Sequence, residues 1–313
     1  MSKTNPTKRI LVIRHGAFGD MIMAMRAFRA IRAFHADAEI TLLTTAPFVG
    51  LVEDSGYFDK IIADERPKLW RLAAWWRLAR TLREARFERV YDLQRSQRTN
   101  LLFRVITAGR RCEWSGVTPG CSHYVHDDRN DGRHILDKLD EQLQAAGLPP
   151  LPPPDIAWLT GDIERFCLPR PYGLIIPGCT PRRPEKRAPA ELFAGFARHL
   201  LADGITPVLL GTEQEKEQIE AVQAGCPEAV NLCDQTRFGD IAELARNAAG
   251  ALGNDTGAMH LIAATGCPSL VLFSGASNPG IVAPRGACVR TLQRDPLSAL
   301  PLEEMVGAWR DML

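Results

Sequence analysis

Residues Gly253-Asn254-Asp255-Thr256-Gly257-Ala258-Met259-His260-Leu261 read GNDTGAMHL, between the apolar runs Ala248–Leu252 and Ile262–Ala264. A short apolar run, a small polar turn and a renewed apolar stretch are the pattern of a strand becoming a helix. Unsatisfied N–H groups at a helix start attract an anion, and the helix dipole adds to that attraction. The amides of Thr256, Gly257 and Ala258 are the donors here. Asp255 would repel a phosphate and suits sugar hydroxyls better, while His260 lies one turn into the helix. Asp255 or Thr256 as a plain cap and His260 as an interior histidine is the alternative from these residues alone.

The same strand-to-helix rhythm runs outward in both directions. Before it come candidate strands at Arg9–Arg14, Ile40–Thr44, Lys60–Ala63 and Arg89–Leu93, with helices over Met21–His35 and Leu69–Phe87. Six residues, Pro149-Pro150-Leu151-Pro152-Pro153-Pro154, then interrupt the pattern as a stiff linker. It resumes with strands Tyr172–Ile176 and Thr206–Leu210, helices Pro189–Asp203, Glu213–Ala224 and Ile241–Ala249, and a last strand Ser269–Phe273. Pro189 falls near its helix's first turn and Gly204 ends it. Alternation of this kind predicts βαβ units, hence two doubly wound α/β domains, residues 1–152 and 153–313. Ligands in such folds bind beyond the carboxyl ends of strands, here in a cleft between the halves.

Bulk properties agree with a globular, two-domain protein. The chain has 313 residues, 45% of them hydrophobic. Residues 1–150 carry 24 Lys+Arg against 18 Asp+Glu, and residues 151–313 carry 14 against 19, so the first half favours an anionic partner. Eight cysteines without a CxxC pair point to reduced thiols rather than disulfides or zinc. The polar start Met1–Pro6 lacks a signal-peptide core, and no run approaches the roughly eighteen apolar residues of a membrane span. A cytoplasmic protein is expected, with any membrane contact at its surface.

Two further strand ends carry chemistry. Arg14-His15-Gly16-Ala17-Phe18-Gly19-Asp20 places glycines 16 and 19 where the backbone must turn near a ligand, and Asp20 opens the helix as base or as N-cap. The third glycine of a dinucleotide fingerprint is missing, which argues against a nicotinamide site. Pro177–Arg187 holds Thr180 and four cations, Arg182, Arg183, Lys186 and Arg187, a set suited to a diphosphate. A solvated basic loop is the alternative. No Asp-x-Asp pair stands at a strand end, so no metal need bridge phosphates. Lys68–Arg80 joins three tryptophans to cations: an anionic lipid surface would suit it, but a core helix with its tryptophans inside is slightly favoured.

The segments ILVIRHGAFGD at 10–20, YDLQ at 91–94, PEKR at 184–187 and NDTGAMHL at 254–261 resemble glycosyltransferase family 9, in order and spacing over essentially the whole chain. Its best-known members are the ADP-heptose heptosyltransferases of lipopolysaccharide core assembly. The resemblance implies a GT-B fold and inverting transfer, with the acceptor on the first domain and the nucleotide sugar on the second. It puts Asp20 in place of the catalytic base and Lys186 in place of the phosphate-binding lysine; should Asp20 prove dispensable, His15 is the next candidate base. Thr180 falls in the phosphate-contacting turn, Asp255 matches the acid holding the donor sugar, Thr256 and Gly257 lie at the diphosphate with His260 nearby, and Glu215 serves the nucleoside.

The implied partners are an ADP-linked sugar and a lipid-linked or core oligosaccharide, with peripheral contact at the cytoplasmic face of the inner membrane. No nucleic acid, metal or further cofactor is expected. Two departures bear on the donor: Lys186-Arg187-Ala188-Pro189 lacks the family's usual tryptophan, and Ser274–Gly280 lacks its usual Thr-Asp-Pro. Another nucleotide sugar and acceptor, or a non-catalytic sugar-nucleotide-binding protein, are the alternatives.

Overall fold

The computed structural model describes residues 8–68, 70–128, 131–180 and 182–313, which divide into two units, 1–155 and 156–313. In the first unit the elements are β1 (Arg9–Ile13), α1 (Phe18–Phe34), β2 (Glu39–Thr44), α2 (Val49–Val52), β3 (Lys60–Ala63) and α3 (Leu72–Glu84). They continue with β4 (Arg89–Asp92), α4 (Gln97–Thr107), β5 (Glu113–Gly116), β6 (His123–Tyr124) and α5 (Ile135–Ala145). The second unit begins with β7 (Tyr172–Ile176), α6 (Ala190–Ala202), β8 (Thr206–Leu209), α7 (Lys216–Gly225), β9 (Val230–Asn231) and α8 (Phe238–Asn247). It ends with β10 (Gly250–Asn254), α9 (Gly257–Ala264), β11 (Ser269–Phe273), α10 (Pro279–Val282), β12 (Val289–Gln293) and α11 (Leu302–Arg310).

Each unit holds a six-stranded sheet, in the orders β3-β2-β1-β4-β5-β6 and β12-β11-β10-β7-β8-β9, with every described pairing parallel. The direction of winding reverses between β1 and β4 in one and between β7 and β10 in the other. Loops leaving those strands splay apart there and open a crevice at their carboxyl ends.

Burial on both faces explains the continuous apolar strands. In β7, Ile175 points into the core beneath α6 with Phe193, Phe196 and Trp309, while Leu174 and Ile176 join Met259 and Phe273 on the other face. Phe196 and Trp309 meet edge to face at 5.1 Å between centroids. In the first unit Leu11, Ile13, Val90, Trp75 and Trp114 share a core.

Several expectations are corrected. Ser269–Phe273 is not the last strand: β12 follows, and its half-exposed VRTLQ carries no apolar run. The short strands β5, β6 and β9 and the helices α4, α5 and α11 were not foreseen either. Leu69, the expected start of the tryptophan helix, lies outside the described residues, and α3 begins at Leu72. Pro189, expected as the first residue of its helix, is the N-cap, and α6 begins at Ala190. The proline linker is held by hydrogen bonds to the first unit. Arg26 donates to Leu151 O (3.0 Å), Arg29 to Pro153 O (3.3 Å) and the Tyr57 hydroxyl to Asp155 O (2.8 Å), so residues 153–155 belong to the first unit. Among the described residues no helix is long and apolar enough to cross a membrane.

Candidate functional site

In the first unit, Arg14 follows the end of β1 and the chain turns at Gly16 before α1. Gly16 has φ +109°, and a Cβ there would stand 2.2 Å from Phe48 Cε2, so only glycine fits. Gly19, by contrast, is buried inside the first turn of α1.

Asp20 is not the N-cap. Ala17 is, and Asp20 sits at the third helical position with Oδ2 accepting from the Ala17 amide at 3.0 Å. That reach-back starts the helix at Phe18, three residues before the expected Met21. The other oxygen, Oδ1, lies 3.0 Å from Arg14 Nη2, and about a third of the Asp20 side chain remains exposed. Arg14 also donates to Leu93 O at the end of β4. Burial lowers its pKa, while Asp20 and Asp92 oppose that shift. Beside this pair is a cavity of about 190 Å³ lined by Arg14, Asp20, Gln94, Arg95 and Asp127, with Met23 and Leu136 on its apolar wall.

The YDLQ segment braces this turn. Gln94 Oε1 accepts from the His15 amide at 2.7 Å, while the Asp92 carboxylate accepts from the amides of Gln94 (3.1 Å) and Arg95 (3.0 Å). Burial pushes Asp92 up to about 6, against hydrogen bonds from Thr99, Arg95 and Gln94. His15 is not placed as a fallback base. Its ring is buried, with Nε2 3.0 Å from Asp64 Oδ2. Burial works against the Asp64 charge, but hydrogen bonds from His15 and the Arg66 amide, with the Arg98 charge, hold its pKa below the ordinary value. Arg98 in turn lies 4.1 Å from the ring centroid of Trp75 in α3.

In the second unit the ends of β7 and β10 are stitched by Asn254, which has no exposed surface. Its Nδ2 donates to Pro177 O at 2.7 Å, and its Oδ1 accepts from the Ala188 amide at 3.1 Å. The Pro177–Arg187 loop, where Pro181 lies outside the described residues, is thereby held against the next residue, Asp255. Lys186 Nζ and Asp255 Oδ2 are 2.6 Å apart, both side chains largely buried. Thr256 is the N-cap of α9 without a side-chain cap bond, and Gly257 and Ala258 open the helix, all three partly exposed. His260 is buried in its first turns. Thr180 is exposed, and its carbonyl accepts from the Arg183 amide at 3.0 Å.

Glu215 packs onto the same loop: a Cβ on Gly178 would stand 2.6 Å from its Cδ. Its carboxylate meanwhile accepts from the Thr212 amide (2.8 Å) and hydroxyl (2.9 Å). Lys186, Asp255, Glu215 and the start of α9 thus converge around the β7 and β10 ends. Asn254, Arg14, Gln94 and Arg95 are the residues sequence reasoning did not single out. Asn254, Gln94 and Arg14 stood in the quoted motifs, which was the available signal, and Arg95 directly follows YDLQ.

Two doubly wound units, each with a polar, charged turn at the point where winding reverses, define the GT-B class of glycosyltransferase folds. The sequence model of glycosyltransferase family 9 (heptosyltransferase) matches residues 75–301. Lipopolysaccharide heptosyltransferase 2 of Salmonella typhimurium is 25% identical over 319 residues, covering 91% of this chain and 88% of that one. Lipooligosaccharide heptosyltransferase 2 of Haemophilus influenzae is 29% identical over 106 residues, only 30% of its length. Among solved structures, a family 9 glycosyl transferase from Veillonella parvula superposes with TM-score 0.83 at 20% identity, covering 97% of each chain. The E. coli ADP-heptose lps heptosyltransferase II gives 0.79 at 21%, covering 97% of this chain and 98% of that. The chain belongs to glycosyltransferase family 9.

Proposed function

We propose that this glycosyltransferase moves a heptosyl group from an ADP-linked donor to a sugar of a lipopolysaccharide core, with inversion. The observation that carries the reading is the Lys186–Asp255 pair at the mouth of α9. A cation and the free amides of a helix start meet a departing diphosphate, while the adjacent carboxylate holds sugar hydroxyls. Thr180 and the amides of Thr256, Gly257 and Ala258 serve the phosphates, Glu215 the nucleoside, and His260 backs the helix start. Asp255 also neutralises Lys186 before the donor arrives, which keeps a largely buried ammonium in place.

On the acceptor side Asp20 takes the hydroxyl proton as the acceptor oxygen bonds to the anomeric carbon. The bond from that carbon to the diphosphate breaks in the same displacement, and ADP leaves. Arg14 orients Asp20, and the neighbouring cavity, where Arg95 is paired with Asp127 at 2.7 Å, offers charged and hydrogen-bonding groups to the acceptor sugar. The co-substrate supplies all the chemistry this scheme needs, so no further cofactor is invoked. The missing tryptophan after Lys186 and the altered Ser274–Gly280 loop favour one second reading, a family 9 transferase with a different nucleotide sugar.

The test is incubation with ADP-heptose and a truncated core acceptor, with mass spectrometry for the product and NMR for its anomeric configuration. A heptose-extended product of inverted configuration is expected. A retained configuration refutes the single displacement, and turnover only with other nucleotide sugars favours the second reading.

A further inference from the structure

Of the three tryptophans around α3, one is structural and two are not. Trp75 is buried, stacked under Arg98. Trp70 is 73% exposed, Leu72 74% and Trp76 62%, which reverses the expectation that these tryptophans fill the core. Leu72, Trp76 and Arg80 follow one another at i, i+4 spacing along one solvent face of α3, with Arg77 beside them. Cations attend both exposed rings: Lys68 Nζ lies 5.0 Å from the Trp70 centroid, and Arg80 Cζ 5.3 Å from that of Trp76. From Arg66 to Arg83 the sequence contains no Asp or Glu, although Arg80 pairs with Glu84 just beyond at 2.6 Å.

Large apolar side chains clustered in water mark an interaction surface. The charge decides the occupant. A second copy would bring the same cations against these ones, so self-association through this face is opposed. Indole rings with a polar N–H, one just before a short helix and one on its outer face, both among cations, match the headgroup layer of an anionic bilayer. We propose that Trp70, Leu72 and Trp76 insert into the headgroup region of an anionic membrane, with Lys68, Arg71 and Arg77 on lipid phosphates. This surface holds whatever the donor sugar is, because it uses none of the residues assigned to transfer.

The experiment is co-sedimentation of the full chain with phosphatidylcholine vesicles and with phosphatidylcholine–phosphatidylglycerol vesicles, at low and high salt. Retention on the anionic vesicles, loss of it in high salt and a blue shift of tryptophan emission are expected. Lys68→Gln/Arg71→Gln/Arg77→Gln should weaken partitioning by about a hundredfold, roughly fivefold per cation at the surface. Trp70→Ser/Trp76→Ser should remove both retention and blue shift while the melting temperature holds, since both rings stand in water. Equal retention on the uncharged vesicles, or none on either, overturns the proposal. Retention by an immobilised acidic polypeptide without vesicle binding overturns it in favour of a protein partner. Concentration-dependent sedimentation that the tryptophan variant abolishes overturns it in favour of a second copy.

Discussion

Asp20→Asn separates the chemical role of that carboxylate from its two structural ones. Asparagine keeps an oxygen for the Ala17 amide, so the start of α1 survives, but it cannot neutralise Arg14 at 3.0 Å. Removing one partner of a fully buried pair costs about 3–5 kcal/mol, yet Asp20 is nearly a third exposed and the amide oxygen still attracts the guanidinium. A loss of about 1–3 kcal/mol follows, seen as a melting temperature lower by roughly 2–10 °C. Even against a stability of only about 5 kcal/mol this leaves well over nine-tenths of the protein folded at 25 °C. Unfolding therefore accounts for a few per cent of any activity loss. Loss of the base should lower turnover by about 10²–10⁴, equivalent to roughly 3–5 kcal/mol of transition-state stabilisation. The assay pairs ADP calorimetry and thermal melting with transfer rates at saturating donor. A folded variant with unchanged ADP affinity and near-normal transfer would refute the base assignment and leave Asp20 as a partner of Arg14 alone.

Lys186→Ala should weaken ADP binding about tenfold or more while adenosine binding is unchanged, since a charge-assisted contact is worth about 1.5–3 kcal/mol. Calorimetry with both ligands checks this, and equal losses would make Lys186 purely structural. Asp92 gives a pH prediction. Its folded pKa of about 6 exceeds the unfolded value near 3.9, so its contribution is fully present below pH 4 and is lost as pH rises through 6. Asp92→Asn should therefore gain stability relative to the parent as pH rises from 4 to 7, by up to about 3 kcal/mol; a difference constant across denaturant melts at several pH values contradicts the buried charge. Transfer should persist in excess EDTA, because Lys186 and helix amides meet the leaving group, and activity restored only by magnesium would contradict that scheme.

Strands buried on both faces were legible because burial makes them continuous apolar runs, as in Ile10–Ile13, Leu174–Ile176 and Leu270–Phe273. Edge elements were not. β9 has two residues, and β12 exposes much of itself, so neither writes an apolar period into the sequence. The donor-side residues were legible as types at strand ends, but their pairing was not. Lys186 and Asp255 stand 69 positions apart, and only the parallel β7–β10 register brings them together. Asp20 as a cap was misread because local sequence shows a carboxylate near a helix start without showing which turn it closes. Trp75 and Trp76 are adjacent, and one residue of helical phase separates an indole stacked on Arg98 from one in water.

The two sheets share one strand order: numbered within its own unit, each runs 3-2-1-4-5-6. The Arg14–Gly16 turn and the Pro177–Arg187 loop are therefore the same loop of the same plan, the one after the first strand, each braced from the end of the fourth by a side-chain amide, Gln94 or Asn254. Under the proposed assignment of the acceptor to the first unit and the donor to the second, each specificity is written in a separate copy of one architecture. Lineages can retune the acceptor by editing loops before the proline linker and the donor by editing loops after it, with neither set of changes crossing the other's hydrophobic core.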